Sequence, residues 1–383
     1  MTNKGCIQRS MWKTKIKVFA RYIKHSYRKR VKSQETPTSI YDQETEEEDL
    51  WFLPGPPEDM APTDPPWRMA RRGRGFDARE WRRAEAAQGR KLAQAAAAFA
   101  ALDERFRGET SGQRRRLALM ELAELSWADG TRLSVERIAL HDMLRISTAG
   151  EDAQALENAL WALKRLSGGP EPMDNLATFL GRKRVSADGL ERIATRPVGD
   201  DFEQCADKWA LLVSDMGDLH PLTRGAAGFH AWRMLGLSGD EGILESAVAA
   251  ARIGASGARG GAVFVPIALG DVVMLGKGGT PNDALARWLN AVENACLRAL
   301  LHLDRVEEWR LRAVKATRKM SGRTPPKLIE ALGANPVLSA EMVAEGAGVS
   351  RAAARRNLGV FKRLGLVREV TGQDRYRFWT AVI

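Results

Sequence analysis

The chain has 383 residues, a formal net charge of +11 and three cysteines that lie far apart. This length can hold two domains, each with its own apolar core. Cys6, Cys205 and Cys296 match neither a disulfide framework nor a zinc-binding spacing, so we expect a location in the reducing cytoplasm. Because no run of about 18 apolar residues and no apolar signal core is present, we expect neither a membrane span nor a secretory signal.

The charge is concentrated at the two ends of the chain. Residues 1–35 contain eleven Lys/Arg and one acidic residue, whereas residues 36–66 contain nine acidic residues and no Lys/Arg. Such charge blocks, together with the prolines near residue 56, predict a disordered tail over residues 1–66. We interpret its basic part as a solvated extension, with contact to nucleic acid or to a membrane surface as the alternative.

Residues 67–320 have the pattern of an all-helical domain. Apolar residues recur at helical spacing, and strand-like alternation is missing, which predicts an all-α fold. The sequence contains nine helical stretches in this region and a glycine-rich, irregular segment at 255–282. The helical stretches are 79–106, 112–128, 134–146, 151–166, 202–216, 224–236, 240–254, 283–303 and 304–320.

Residues 321–383 predict a separate module of three short helices and a β-hairpin. A helix over 325–332 ends at Gly333, and Ser339 can cap a second helix. The segment Gly346–Val349 supplies a tight turn, because glycine tolerates positive φ, and Ser350 can cap a third helix that ends near Leu364. Two short alternating strands, 366–370 and 375–379, follow and are joined by a turn at 371–374.

The third helix has two chemically different faces. At about 100° per residue, Ala354, Leu358, Phe361 and Leu364 share one face and should pack against the preceding helices. The opposite face contains small residues and arginines, which suit close approach to the major groove and contacts to phosphate or guanine. The predicted DNA-binding residues are Ser350, Arg351, Arg355, Arg356 and Arg363 on this helix, with Gln373, Arg375 and Arg377 on the hairpin.

This module resembles the winged helix-turn-helix of many bacterial regulators. The resemblance depends on the order of the turn glycine, the capping Ser350, the arginine-bearing helix and the hairpin, which would be the wing. It implies binding to double-stranded DNA. A winged helix used for protein contacts is the alternative, since a fold alone does not determine function.

A second resemblance covers roughly residues 50–383. The segments Trp51–Pro56, Leu117–Trp127, Leu219–Trp232 and Glu369–Gln373 are similar to those of an alphaproteobacterial, often plasmid-borne family of unknown function. That family has a helical domain before the same C-terminal module. The resemblance implies a shared fold and cellular setting, and it brings no established activity or catalytic residue.

The segment beginning at His220 is similar to the start of the Fic motif of AMP-transferring enzymes. That motif needs an Asn, a Gly and an Arg that hold nucleotide phosphates, and here those places are Ala226, Ala227 and Gly228. Arg224 stands where the family has its metal-binding acid. We therefore predict no enzymatic activity, no cofactor and no metal site, and a degenerate Fic-like scaffold remains an alternative.

His220 has two further interpretations. It can be a helix-capping or core histidine just before Pro221, which we favour. Alternatively, His220, Arg224 and His230 could line a pocket for an anionic effector.

With these alternatives open, the sequence predicts a cytoplasmic transcriptional regulator. A plasmid-associated interaction protein is the competing prediction. The helices of 283–320 are the expected surface for a homodimer, and a monomer is also compatible with the sequence.

Overall fold

The computed structural model describes residues 76–144, 151–182, 196–239, 242–276, 278–372 and 377–383. The predicted tail over residues 1–66 lies outside them. Residues 74–383 form one compact unit. The predicted domain boundaries at residues 66 and 320 stay predictions.

Most of the described chain is helical, which confirms the predicted fold class. The helices before the C-terminal module are α1 (Ala78–Ala87), α2 (Gly89–Arg107), α3 (Ser111–Ala128), α4 (Val135–Leu144), α5 (Glu151–Leu166), α6 (Leu176–Leu180), α7 (Gly199–Asp215), α8 (Pro221–Met234), α9 (Leu244–Gly254) and α10 (Pro281–Thr317), with a 3-10 turn at Val272–Leu275. The C-terminal module contains α11 (Thr324–Ala334), β1 (Leu338–Ser339), α12 (Ala340–Ala347), α13 (Arg351–Arg363), β2 (Val367–Glu369) and β3 (Phe378–Ala381).

Local capping signals explain where several helices begin. Thr110 and Gln113 form a reciprocal capping box at the start of α3, and Thr280 and Asp283 form another at the start of α10. In each box the threonine side chain accepts a backbone N–H that the first helical turn would otherwise leave unpaired. Pro281 then occupies the first helical position of α10, where its missing N–H has no cost.

Three details of the predicted helices are wrong. The expected helix 79–106 is divided at Gln88, which has φ −98° and ψ 16° and is the C-cap of α1. The expected helices 283–303 and 304–320 are one continuous helix of 37 residues. The short helix α6, which Asn175 caps through its side chain, was not predicted.

The irregular segment that follows α9 is fixed by two buried carboxylates. Asp103 accepts the backbone N–H groups of Arg259, Gly260 and Ala262 at 2.6–2.8 Å. Glu121, which is 1% exposed, accepts three consecutive N–H groups over residues 267–269 at 2.8–3.0 Å. A segment without secondary structure must find other partners for its buried backbone groups, and these two side chains supply them.

The long helix α10 belongs to both apolar cores of the unit. Its part up to Leu303, which includes Leu285 and Leu289, packs in the larger core with α1–α9. Its last turns contribute Trp309 and Ala313 to the smaller core, which the C-terminal module otherwise forms. Because α10 is a continuous helix, it links the two cores without an intervening loop.

The three strands form one antiparallel sheet in the order β1-β3-β2, and β3 is buried on both faces. Successive strand residues point to opposite sides of a sheet. Accordingly, Phe378 packs in the larger core, whereas Trp379 and Ala381 pack in the smaller core. The sheet of the C-terminal module therefore lies between the two cores.

Candidate nucleic-acid interface

Helices α12 and α13 are joined by a tight turn. Gly348 adopts φ +59° and ψ 43°, the left-handed conformation that lets a helix end sharply. Ser350 follows in an extended conformation, and its hydroxyl accepts the N–H of Ala353 at 3.2 Å, which caps α13. Ser339 caps α12 in the same way by accepting the N–H of Met342. Both predicted caps are confirmed, and the predicted turn over Gly346–Val349 falls at Gly348, since Gly346 lies within α12.

The buried face of α13 contains three of the four residues predicted for it. Ala354, Leu358 and Phe361 are at most 1% exposed and pack in the smaller core. The prediction for Leu364 is wrong, because its side chain is 44% exposed. The helix ends at Arg363, so the helical angle no longer applies at Leu364. Leu366 enters the core instead.

The exposed face of α13 is basic. The side chains of Arg351, Arg355, Arg356 and Arg363 are exposed, and Arg351 lies 3.8 Å from the Glu341 carboxylate on α12. Across the described residues, the structure records no hydrogen bond or ion pair for the guanidinium groups of the other three. These arginines can therefore contact an external anion without first giving up an internal partner.

The wing is described only in part. Gln373 and Arg375, both predicted to bind DNA, lie outside the described residues, whereas Arg377 is described and exposed. At the start of the wing, the Glu369 carboxylate accepts the N–H groups of Thr371 and Gly372 at 2.8–3.0 Å. Burial acts to raise the pKa of Glu369, but these hydrogen bonds and the nearby Arg377 lower it overall. The ionised Glu369 carboxylate is thus favoured, and it fixes the backbone at Thr371 and Gly372.

Sequence reasoning missed the residues that attach this module to the helices before it. Arg116 on α3 is buried and donates to the carbonyl oxygens of Leu332 and Asn335 at 2.9 and 2.7 Å. These carbonyls lie at the C-terminal end of α11, where helix carbonyls lack internal partners. On β2, Arg368 pairs with Glu136 of α4 at 2.5 Å. The acceptors are over 200 residues distant in sequence, so no local pattern could identify them.

The three residues of the predicted effector pocket lie near one another along α8 but serve different contacts. His220 is the N-cap, and its Nδ1 accepts the Leu222 N–H at 3.2 Å, which confirms the helix-capping interpretation. Burial and Arg224 lower its pKa, whereas Glu85 opposes the shift. His230 packs against the Trp81 ring at 5.5 Å between centroids, and burial is the main cause that lowers its pKa to about 4.

Arg224 lines a cleft of about 780 Å³ and donates to the Ser256 hydroxyl at 2.8 Å. Neither His220 nor His230 is among the residues that line this cleft. The segment 226–228, where a Fic enzyme has its phosphate-binding turn, lies within α8 and packs in the protein interior. This cleft therefore contains Arg224 without the two histidines, and a pocket shared by all three residues stays a prediction.

An arginine-bearing helix that follows a tight turn and precedes a β-hairpin defines a winged helix-turn-helix. The comparison with known families agrees with this geometry, because the family described as an HTH DNA-binding domain matches residues 325–382. No curated protein matches the chain. The C-terminal module is thus a helix-turn-helix DNA-binding domain.

The described residues contain neither a helix that could cross a membrane nor a cluster that could hold a metal ion. No helix among them has both the length and the apolar character needed to cross a bilayer. They also contain no group of three or more His, Cys, Asp or Glu side chains that could hold a metal ion.

Proposed function

We propose that the protein is a cytoplasmic transcriptional regulator that binds a specific sequence of double-stranded DNA and catalyses no reaction. The observation that carries this proposal is the exposed face of α13. On it, Arg355 and Arg356 stand opposite the buried face and have no partner within the described chain. In helix-turn-helix proteins the second helix of the motif enters the major groove. Arginine is suited to this position because its two-pronged donor geometry matches the acceptors of guanine.

The sheet supports the same function by holding the wing. Because β3 is buried between two cores and Arg368 is paired with Glu136, the strands that carry the wing have fixed positions. Arg377 at the end of the wing is exposed and could lie on the phosphate backbone beside the groove. A contact surface that is ordered before binding loses less conformational entropy when DNA binds.

The test uses the full-length chain with point substitutions. A duplex selected from a random pool would be titrated by fluorescence anisotropy with wild type and with Arg355→Ala and Arg356→Ala. A side chain that reads a base contributes about 1–3 kcal/mol of discrimination, so we expect a loss of roughly 5- to 150-fold on the selected duplex. The loss on unrelated DNA should be smaller. Arg79→Ala, which removes an exposed arginine from α1, is the matched control.

Two results would contradict this proposal. If wild type selects no sequence, or if both α13 variants bind like the control, α13 does not read DNA, and the module would then contact protein.

The regulatory role needs its own measurement. A reporter promoter that carries the selected site should change its output with wild type but not with the Arg355→Ala/Arg356→Ala double variant. If neither protein changes the reporter output, only a DNA-binding role would remain.

A homodimer formed through α10 would require a two-fold symmetric site. Leu297, Leu301 and Leu311 of α10 are about half exposed or more.

A further inference from the structure

A second basic surface lies next to α13 but outside the matched segment 325–382. From Trp309 to Ile329 the chain contains seven Lys/Arg residues and no Asp or Glu. Three of the seven have internal partners: Arg310 pairs with Glu307, Arg312 donates to the Val382 carbonyl, and Lys327 donates to the Ala347 carbonyl. The other four are exposed and have no recorded side-chain partner among the described residues; they are Lys315, Arg318, Lys319 and Arg323.

The fold places the turn between α10 and α11 close to the start of α13. Lys327 lies in the first turns of α11 and donates to Ala347, the last residue of α12, just before the tight turn. Met320, in the middle of the α10–α11 turn, packs against the same core as Val349, which directly precedes Ser350. The contact of Lys327 therefore brings the start of α11, into which the basic turn leads, next to the tight turn that precedes α13.

Intramolecular stabilisation accounts for only part of this charge. Cations at the C-terminal end of a helix are favourable, which explains Lys315 and Arg318 at the end of α10. Arg323, however, is the N-cap of α11, where the helix dipole disfavours a positive charge, and its side chain makes no capping hydrogen bond. Neither the helix dipole nor an internal partner among the described residues therefore accounts for the charge of Arg323.

We propose that Arg318, Lys319 and Arg323 bind the phosphate backbone of the same duplex that α13 reads, beside the major groove. This inference rests on the proposed function, because α13 must first enter the groove at its N-terminal end. Phosphates border that groove on both sides and accept hydrogen bonds from Lys and Arg without regard to sequence. The turn would thus add affinity but no sequence preference.

The experiment compares two full-length triple variants that remove the same number of charges. Arg318→Gln/Lys319→Gln/Arg323→Gln changes the turn, and Arg79→Gln/Arg83→Gln/Arg90→Gln changes exposed arginines of α1 and α2. Binding to the selected duplex and to an unrelated duplex would be measured at several salt concentrations. The slope of log K against log salt is negative, and each lost phosphate contact should make it less steep by about 0.9. The slope of the turn variant should therefore be less steep than that of wild type by about 2–3. Its affinity should fall at least about tenfold, by the same factor on both duplexes.

Four outcomes separate this inference from the proposed function. Equal slopes for the two triple variants would overturn the inference, since only the overall charge would then matter. A loss confined to the selected duplex would overturn it as well, because the turn would then read bases. If Arg355→Ala weakens binding while the turn variant does not, only this inference fails, whereas no binding by wild type removes both proposals. Arg318→Lys/Arg323→Lys keeps the charges and should retain the wild-type slope, and an unchanged melting temperature would show that the turn variant is folded.

Discussion

The contribution of α10 to the DNA-binding module can be tested at Trp309. This side chain is fully buried, and its Nε1 donates to the Leu366 carbonyl at 2.9 Å, although it lies outside the segment 325–382. Trp309→Ala would remove an apolar group of roughly 250 Å², and such large-to-small core changes cost about 3–5 kcal/mol. The Leu366 carbonyl keeps a second hydrogen bond, from Val382 N at 3.0 Å, so the lost bond adds only about 1 kcal/mol.

We therefore expect Trp309→Ala to lower the free energy of unfolding of the full chain by about 4–6 kcal/mol. Urea denaturation followed by circular dichroism would measure it. Leu311→Ala is the matched control, because Leu311 lies on the same helix and is 63% exposed. It should change the free energy of unfolding by no more than about 0.5 kcal/mol. If both variants unfold at the same urea concentration, the last turns of α10 are not part of the smaller core and our account of the shared helix is wrong.

Three further predictions concern single side chains. Gly270→Ala should be strongly destabilising, because a Cβ there would overlap the Ala291 carbonyl oxygen; a melting temperature equal to that of wild type would contradict this contact. Burial raises the pKa of Glu121 from 4.5 to about 7, so the folded state favours the protonated form. The free energy of unfolding of wild type should therefore fall by up to about 3 kcal/mol as the pH rises from 4.5 through 7. Glu121→Gln cannot ionise and should lack this loss, and parallel urea titrations at pH 5 and pH 8 would show whether it does. Ser350→Ala should cost about 1 kcal/mol of stability through loss of the α13 cap, and Ser350→Gly only a few tenths; equal stability of Ser350→Ala and wild type would argue against the cap.

Local patterns in the sequence were enough to predict most of α13. Ser350, the buried residues Ala354 and Leu358 and the exposed arginines could all be placed because caps and helical periodicity depend on neighbours within about four residues. The same reasoning failed at Leu364, one residue after α13 ends. A helical angle carries no information beyond the last helical residue, and the left-handed Gly365, with φ +68°, turns Leu366 into the core instead.

The break between α1 and α2 shows a different limit. Gln88 is neither glycine nor proline, and the residues around it favour a helix, so the sequence alone predicted one helix over 79–106. Its side chain donates to Asn282 at the start of α10, and both α1 and α2 pack against α10. The division is therefore set by packing against a helix that lies almost 200 residues later in the chain.

Local patterns were enough to predict a mainly helical chain that ends in a winged helix-turn-helix with an arginine-bearing face. Three features became visible only in the folded chain: α10 extends into the module's core, β3 is buried on both faces, and Arg116 caps the end of α11. The difference lies in the range of the interactions. Capping and amphipathic periodicity act between near neighbours, whereas strand pairing and the packing of β3 between two cores join segments far apart in the sequence.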